Sequence, residues 1–260
     1  MFVTAVFGAM TGLAVGLLGA GGSILAVPAL VFGAGEDLRT AIPTSLAVVA
    51  LSSLGGVLPR ARRRAVWWPV ALVFGAAGTA AAFGGAALGR LLPQRWLLLA
   101  FAALMVVVGL RMLRGGEERA GACRTREGGV DWRSCLPRSL LAGALVGVLT
   151  GLFGVGGGFV IVPALTLLLG LGAQEAVATS LVVVLINSVA GLVAHAGSAG
   201  GIDYRVLLVF AGASLAVSIV AARVSTRLEP ATVRRWFASV VLVVAAFVAV
   251  AAIVDPAALG

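Results

Sequence analysis

Apolar residues run through this chain in long blocks separated by short polar stretches. Blocks of about the roughly 20 residues that carry a helix across hydrocarbon recur at 2–33, 41–59, 66–89, 96–113, 136–170, 176–196, 204–222 and 236–254. This pattern predicts an all-α polytopic membrane protein. Two blocks are interrupted by glycine and proline: GLLGAGGSILAVPAL at 16–30 and GLFGVGGGFVIVPAL at 151–165. The arms on either side of the first interruption, 2–18 and 23–34, are each short for a comfortable crossing and suit the two limbs of a re-entrant hairpin.

The two interrupted blocks are copies of one another. Gly16 and Gly151, Pro28 and Pro163, and Thr44 and Thr179 all stand 135 positions apart, with no gap. Ser53 then meets Ser188 and Gly56 meets Gly191 at the same offset; after one inserted residue Phe74 meets Phe210 and Phe101 meets Phe237. The chain therefore reads as a tandem duplication, with a first transmembrane repeat at 1–113, a linker at 114–135 and a second repeat at 136–260.

Composition agrees with a membrane protein: 61% of residues are hydrophobic and 11% charged, where a soluble domain carries about a quarter charged. The net charge of +9 resides in arginines that lie between apolar blocks, so it points to membrane topology and away from nucleic acid. If each half crosses four times, the halves are parallel and the arginines divide twelve against seven. If each half crosses three times and adds a re-entrant hairpin, the halves are inverted and the division is fifteen against four, a much stronger positive-inside bias. The expected fold is thus two inverted repeats, each a Gly-interrupted re-entrant segment plus three transmembrane helices. Arginine-rich loops face the cytoplasm and both termini face outward. The first segment lacks a basic n-region and is expected to be retained. Cys123 and Cys135, in or beside a cytoplasmic linker, are expected to be reduced and incidental.

A helix break at membrane depth frees backbone groups that must find partners in protein or in a hydrated cavity. The helix resuming after each break presents unpaired N–H groups and the positive end of its dipole, which attracts anions. Inverted halves would bring the two breaks face to face near the midplane. The expected substrate-binding residues are Gly19, Gly21, Gly22 and Ser23 in the first half and Gly154, Gly156, Gly157 and Gly158 in the second. Thr44, Ser45, Thr179 and Ser180, near the start of the next helix of each half, add hydroxyls, and Asn187 lies about two turns deeper. The plainer reading of Gly8, Gly12, Gly16, Gly143, Gly147 and Gly151 is close helix packing. For the Ser and Thr residues, satisfying a neighbouring helix competes evenly with binding.

The apolar interiors contain no Asp or Glu, against most proton relays and many cation sites. Glu36, Asp37, Glu175, Asp203 and Asp255 sit at segment ends, and His195, equivalent to Arg60, is expected at an interface. No buried arginine is expected, and no metal or cofactor. The pattern suits a small anion whose exit from a negative interior needs no coupling ion.

The Gly19-Ala20-Gly21-Gly22-Ser23 run with Val27-Pro28-Ala29-Leu30 and Thr44-Ser45 has its twin in Gly154-Val155-Gly156-Gly157-Gly158 with Val162-Pro163-Ala164-Leu165 and Thr179-Ser180. This doubled pattern resembles the TauE/SafE family over nearly the whole chain. The resemblance implies transport, usually export, of small sulfur-containing anions such as sulfite or organosulfonates, with the lipid bilayer as surroundings and a homo-oligomer left open. Import of a similar anion is the alternative. An intramembrane serine enzyme fits poorly, because the lone histidine lies at a helix end and no G-x-S-G run occurs.

Overall fold

The computed structural model describes residues 2–19, 30, 38–89, 94–114, 132–153, 158–194, 204–225 and 229–254. These residues form helices and no strands: α1 (Phe2–Leu18), α2 (Leu38–Arg62), α3 (Trp68–Gly89), α4 (Gln94–Arg114), α5 (Trp132–Phe153), α6 (Gly158–Leu167), α7 (Ala173–Ala194), α8 (Tyr204–Ser225) and α9 (Pro230–Val254). Among them, five are long and apolar enough to cross a membrane: the spans lie at Thr44–Arg62, Trp68–Gly85, Cys135–Leu152, Ala173–Val193 and Arg205–Ser225. At about 1.5 Å per residue, the ten residues of α6 reach about half the hydrocarbon thickness.

Burial follows membrane logic. Leu51, Leu54 and Leu58 on α2 and Leu136, Leu140, Leu141 and Leu145 on α5 face outward, as they would toward lipid. Small hydroxyl residues are packed inside: Thr44, Ser45, Ser52, Ser53, Thr179, Ser180, Ser188, Ser214 and Ser218 are all buried. The core between them is held by Phe74, Phe210 and Phe237 and by aliphatic side chains around α7. Leu30, fully buried, joins Val48 of α2 and Phe210 of α8, while its repeat counterpart Leu165 is fully buried on α6.

Helix partners are exchanged between the halves. α1 packs on α8, and its counterpart α5 packs on α3. Glycines make the approach possible, since a methyl group added at Gly8 would sit 2.7 Å from the Phe210 carbonyl oxygen, and one at Gly143 would sit 2.6 Å from that of Phe74. Gly12 is likewise closed against Ser214, Gly16 against Ser218 and Gly147 against Gly78. Successive contacts advance together along both chains, so each of these pairs runs parallel. Helices α2 and α7 pack in the opposite sense: Gly56 faces Leu181, and Leu46 faces Gly191.

Two connections lie wholly within the described residues, and both are short and closed by hydrogen bonds. After α2, Arg64 N–H donates to Ala61 O at 3.0 Å and Ala65 N–H to Arg60 O at 3.2 Å, with Arg64 at φ 55°. This is a Schellman closure carrying arginine where glycine is usual. Beyond α6, Gly170 takes φ 72° and Leu171 N–H donates to Leu165 O. Glu175 Oε2 then accepts from Gly172 N–H at 3.2 Å, the reciprocal half of a capping box that starts α7. The Thr179-Ser180 pair therefore lies in the second turn of α7 and does not open the helix, because Gly172 and Glu175 had already supplied the cap.

Two expectations are corrected. Cys135, buried at the start of α5, carries a disulfide and is not a reduced thiol; a sulfur sealed from water is poorly reached by an attacking thiolate. Cys123 lies outside the described residues. Arg60, expected among solvent-facing loop arginines, is buried within the bundle.

Candidate functional site

The α1 helix ends where the first glycine run begins. Gly19 adopts φ 76°, in the left-handed region that glycine enters without penalty. A methyl group there would lie 3.0 Å from Ser180 Oγ and 3.0 Å from Val177 Cγ1, so the break in the first half abuts the Thr-Ser turn of the second half. In the second half, Gly158 is buried and opens α6, five positions beyond the end of α5 at Phe153. Gly21, Gly22, Ser23, Gly154, Gly156 and Gly157 lie outside the described residues.

The hydroxyls of the Thr-Ser pairs are fully or almost fully buried. Thr179 Oγ1 accepts a hydrogen bond from Trp67 N–H at 3.2 Å, satisfying one of the donors left over at the start of α3. Its own hydroxyl hydrogen is not used in that bond. Ser180 Oγ donates to Val177 O at 2.9 Å.

A cavity of about 370 Å³ lies between α3, α5, α6 and α7. Its polar groups are Thr79, Thr150, Asn187 and Ser188; Phe74, Val146, Ile161 and Val183 supply apolar wall. Thr79 Oγ1 lies 2.8 Å from both the Gly75 carbonyl and Asn187 Oδ1, to which it donates. With Asn187 Oδ1 as the acceptor, the amide's two N–H donors are left to the cavity. Thr150, on the last turns of α5, puts this cavity beside the second break. Of the expected site residues Asn187 lines it; Gly19 and Ser180 meet at the other break.

At the equivalent place in the first half, α2 and α8 are tied together by hydroxyls. Ser52, the counterpart of Asn187, lies 2.6 Å from Ser214 Oγ and donates to Val48 O, and Ser218 Oγ donates to Ser52 O at 2.7 Å. Ser214 and Ser218, on α8 of the second repeat, are the counterparts of Gly78 and Ala82 on α3 of the first, and the latter two line the cavity.

Arg60 completes the surroundings of the first break. Its Nη1 donates to Gly56 O at 3.0 Å, and its Nη2 donates to Gly16 O at 2.7 Å and to Ser225 Oγ at 3.2 Å. Ser225 in turn donates to Leu17 O at 3.4 Å. One guanidinium thus joins the C-terminal ends of α1, α2 and α8, where helix dipoles favour a cation. Sequence reasoning missed this residue because Arg60 stands among Arg62, Arg63 and Arg64. The available signal was its register: Arg60 follows Gly56 by four and Ser53 by seven, on the small-residue face of α2.

Comparison with known proteins finds membrane transporters. A family model described as Sulfite exporter TauE/SafE matches residues 4–248. A probable membrane transporter protein of Xylella fastidiosa (strain Temecula1) is 40% identical over 185 residues, covering 71% of this chain and 69% of that protein. Probable membrane transporter protein YunE of Bacillus subtilis is 29% identical over 210 residues, covering 74% and 77%. A probable membrane transporter protein of Haemophilus influenzae is 25% identical over 258 residues, covering 92% and 94%. No solved structure matches the chain.

Proposed function

Because the chain belongs to the TauE/SafE family of membrane transporters, we propose that it exports a small sulfur-containing anion, sulfite or an organosulfonate, across the plasma membrane. The observation that carries this reading is the meeting of Gly19, at the break of one half, with Ser180, on the Thr-Ser turn of the other.

The halves, 1–113 and 136–260 joined by the linker 114–135, are inverted in this reading. The contacts of Gly56 with Leu181 and of Leu46 with Gly191 support it. Halves related by rotation about the membrane normal would run α2 and α7 in the same direction; these contacts run them oppositely. Each half then contributes one re-entrant hairpin, of which α6 is the returning limb in the second. The two glycine runs, Gly19–Ser23 and Gly154–Gly158, present backbone N–H groups to one space, with hydroxyls from Thr44, Ser45, Thr179 and Ser180 and the Asn187 amide nearby.

Such a site binds anions through neutral donors, and Arg60, one turn before the first break, adds a positive potential without touching the substrate. At an effective dielectric of about 20, a unit charge about 10 Å away contributes about 1.7 kcal/mol. Export needs no coupling ion, because each negative charge leaving a negative interior gains roughly 2.3 kcal/mol per 100 mV.

The test is flux from liposomes containing the purified protein, loaded with sulfite, thiosulfate, sulfate, sulfoacetate or taurine. Saturable efflux of sulfite or a sulfonate, driven by voltage alone, is the expected result. Efflux that requires a sodium or proton gradient would overturn uncoupled export, and movement of none of these solutes would overturn the substrate class.

A further inference from the structure

Ser53 lies fully buried on α2, and its Oγ makes no hydrogen bond among the described residues. An unpaired buried hydroxyl costs about 1–3 kcal/mol, so native proteins rarely keep one without a reason. Serine and threonine in an apolar helix ordinarily donate to the carbonyl one turn back. Thr11, Ser52, Thr79, Thr150 and Thr166 all do so here. Ser53 does not. Alanine would fill the same space and avoid the cost.

The repeat supplies the comparison that explains it. Ser53 and Ser188 occupy the same position of the two halves, 135 residues apart. Ser188 lines the open cavity beside Asn187. One residue from Ser53, Ser214 and Ser218 replace Gly78 and Ala82 and tie α8 to Ser52. Ser188 stands at an open cavity, whereas its twin is buried and unpaired beside helices tied together by serines.

We propose that Ser53 and Ser188 are matched substrate-binding hydroxyls of two half-sites that open in turn, each donating a hydrogen bond to an oxygen of the transported oxyanion. In the described state Ser188 faces the cavity. Parting of the Ser52, Ser214 and Ser218 contacts opens the first half-site and gives Ser53 its partner. The idea rests on the transport reading above and adds to it two specific residues and a sequence of states.

The test uses the full-length protein in liposomes, with sulfite and methanesulfonate as probes, and thermal unfolding in detergent with and without each anion. Ser53→Ala is expected to melt at or above the wild-type temperature without anion, while the concentration for half-maximal flux rises about 10-fold, the effect of one lost hydrogen bond to a charged group. Ser53→Thr, which keeps the hydroxyl, is expected to recover most of that loss. Ser188→Ala is expected to show a similar rise. Wild-type flux constants in Ser53→Ala, or a melting temperature lowered by that change, would overturn the proposal while leaving the transport reading intact. A wild-type protein that moves neither probe and is stabilised by neither would overturn both.

Discussion

Arg60 reaches across the bundle to the carbonyl oxygen of Gly16, 2.7 Å from its Nη2 and 44 residues earlier in the chain. That oxygen belongs to the last turn of α1, where the intrahelical acceptors have run out of partners. The same guanidinium holds Gly56 and Ser225, so the orientation of α1 just before its break depends on one side chain.

Replacing Arg60 with Gln or Leu is expected to destabilise the protein by about 3 kcal/mol, because buried acceptors lose a charged donor. Lysine can restore the charge but not the forked geometry that reaches Gly56, Gly16 and Ser225 together, so Arg60→Lys should recover only part of it. Thermal unfolding in detergent measures both. Equal melting temperatures for Arg60→Leu and wild type would contradict the anchoring role.

The glycine faces give a second expectation. Gly143→Ala would place a methyl group 2.6 Å from the Phe74 carbonyl oxygen, and only separation of α5 from α3 relieves it. Overpacking of this kind costs about 1–3 kcal/mol. Gly84→Ala, with nothing within 4 Å of the added carbon, is the control and should be neutral or slightly stabilising.

Arg64→Gly should stabilise the turn between α2 and α3. Arginine holds φ 55° there while two hydrogen bonds close the helix end. A non-glycine residue in that region costs roughly 1–2 kcal/mol, part of which glycine returns through the unfolded chain, leaving a net gain of about 0.5–1 kcal/mol. Chemical denaturation of the two proteins side by side would detect it.

In the cavity, Asn187→Leu removes the acceptor of the Thr79 hydroxyl and the amide donors together. Half-maximal flux should require about 10-fold more anion, whereas Val183→Leu, on the apolar wall, changes only shape. Unaltered anion dependence in Asn187→Leu would remove this residue from the site.

The glycine runs themselves are tested by Gly21→Leu and Gly156→Leu. Both are expected to abolish flux while the protein still folds and inserts, as seen by its elution as a single species in detergent. Normal flux in both would remove the breaks from the transport path.

Much of this was legible in the chain before folding. The constant offset between the halves announced the repeat, and the spacing of Gly8, Gly12 and Gly16 marked a face built for close approach. What spacing cannot reveal is the partner. A glycine face accepts any helix that brings a backbone to it, so the exchange of α1 onto α8 and of α5 onto α3 had no one-dimensional signature. Arg60 was hidden differently, because a charge at a helix end obeys the positive-inside pattern whether it points to water or to the C-termini of three helices. The unequal half-sites were present as Ser52 opposite Asn187 and Gly78 opposite Ser214, but their meaning required knowing that these positions touch.

The exchange of helix partners between the halves has a consequence for how the molecule is made. A ribosome that has released only residues 1–113 has produced an α1 whose glycine groove has nothing to close on, since α8 is still to come. Cleaving the chain between α4 and α5 would yield two fragments that are individually incomplete but mutually sufficient. Co-expression should rebuild the bundle, and either fragment alone should be cleared by membrane proteases.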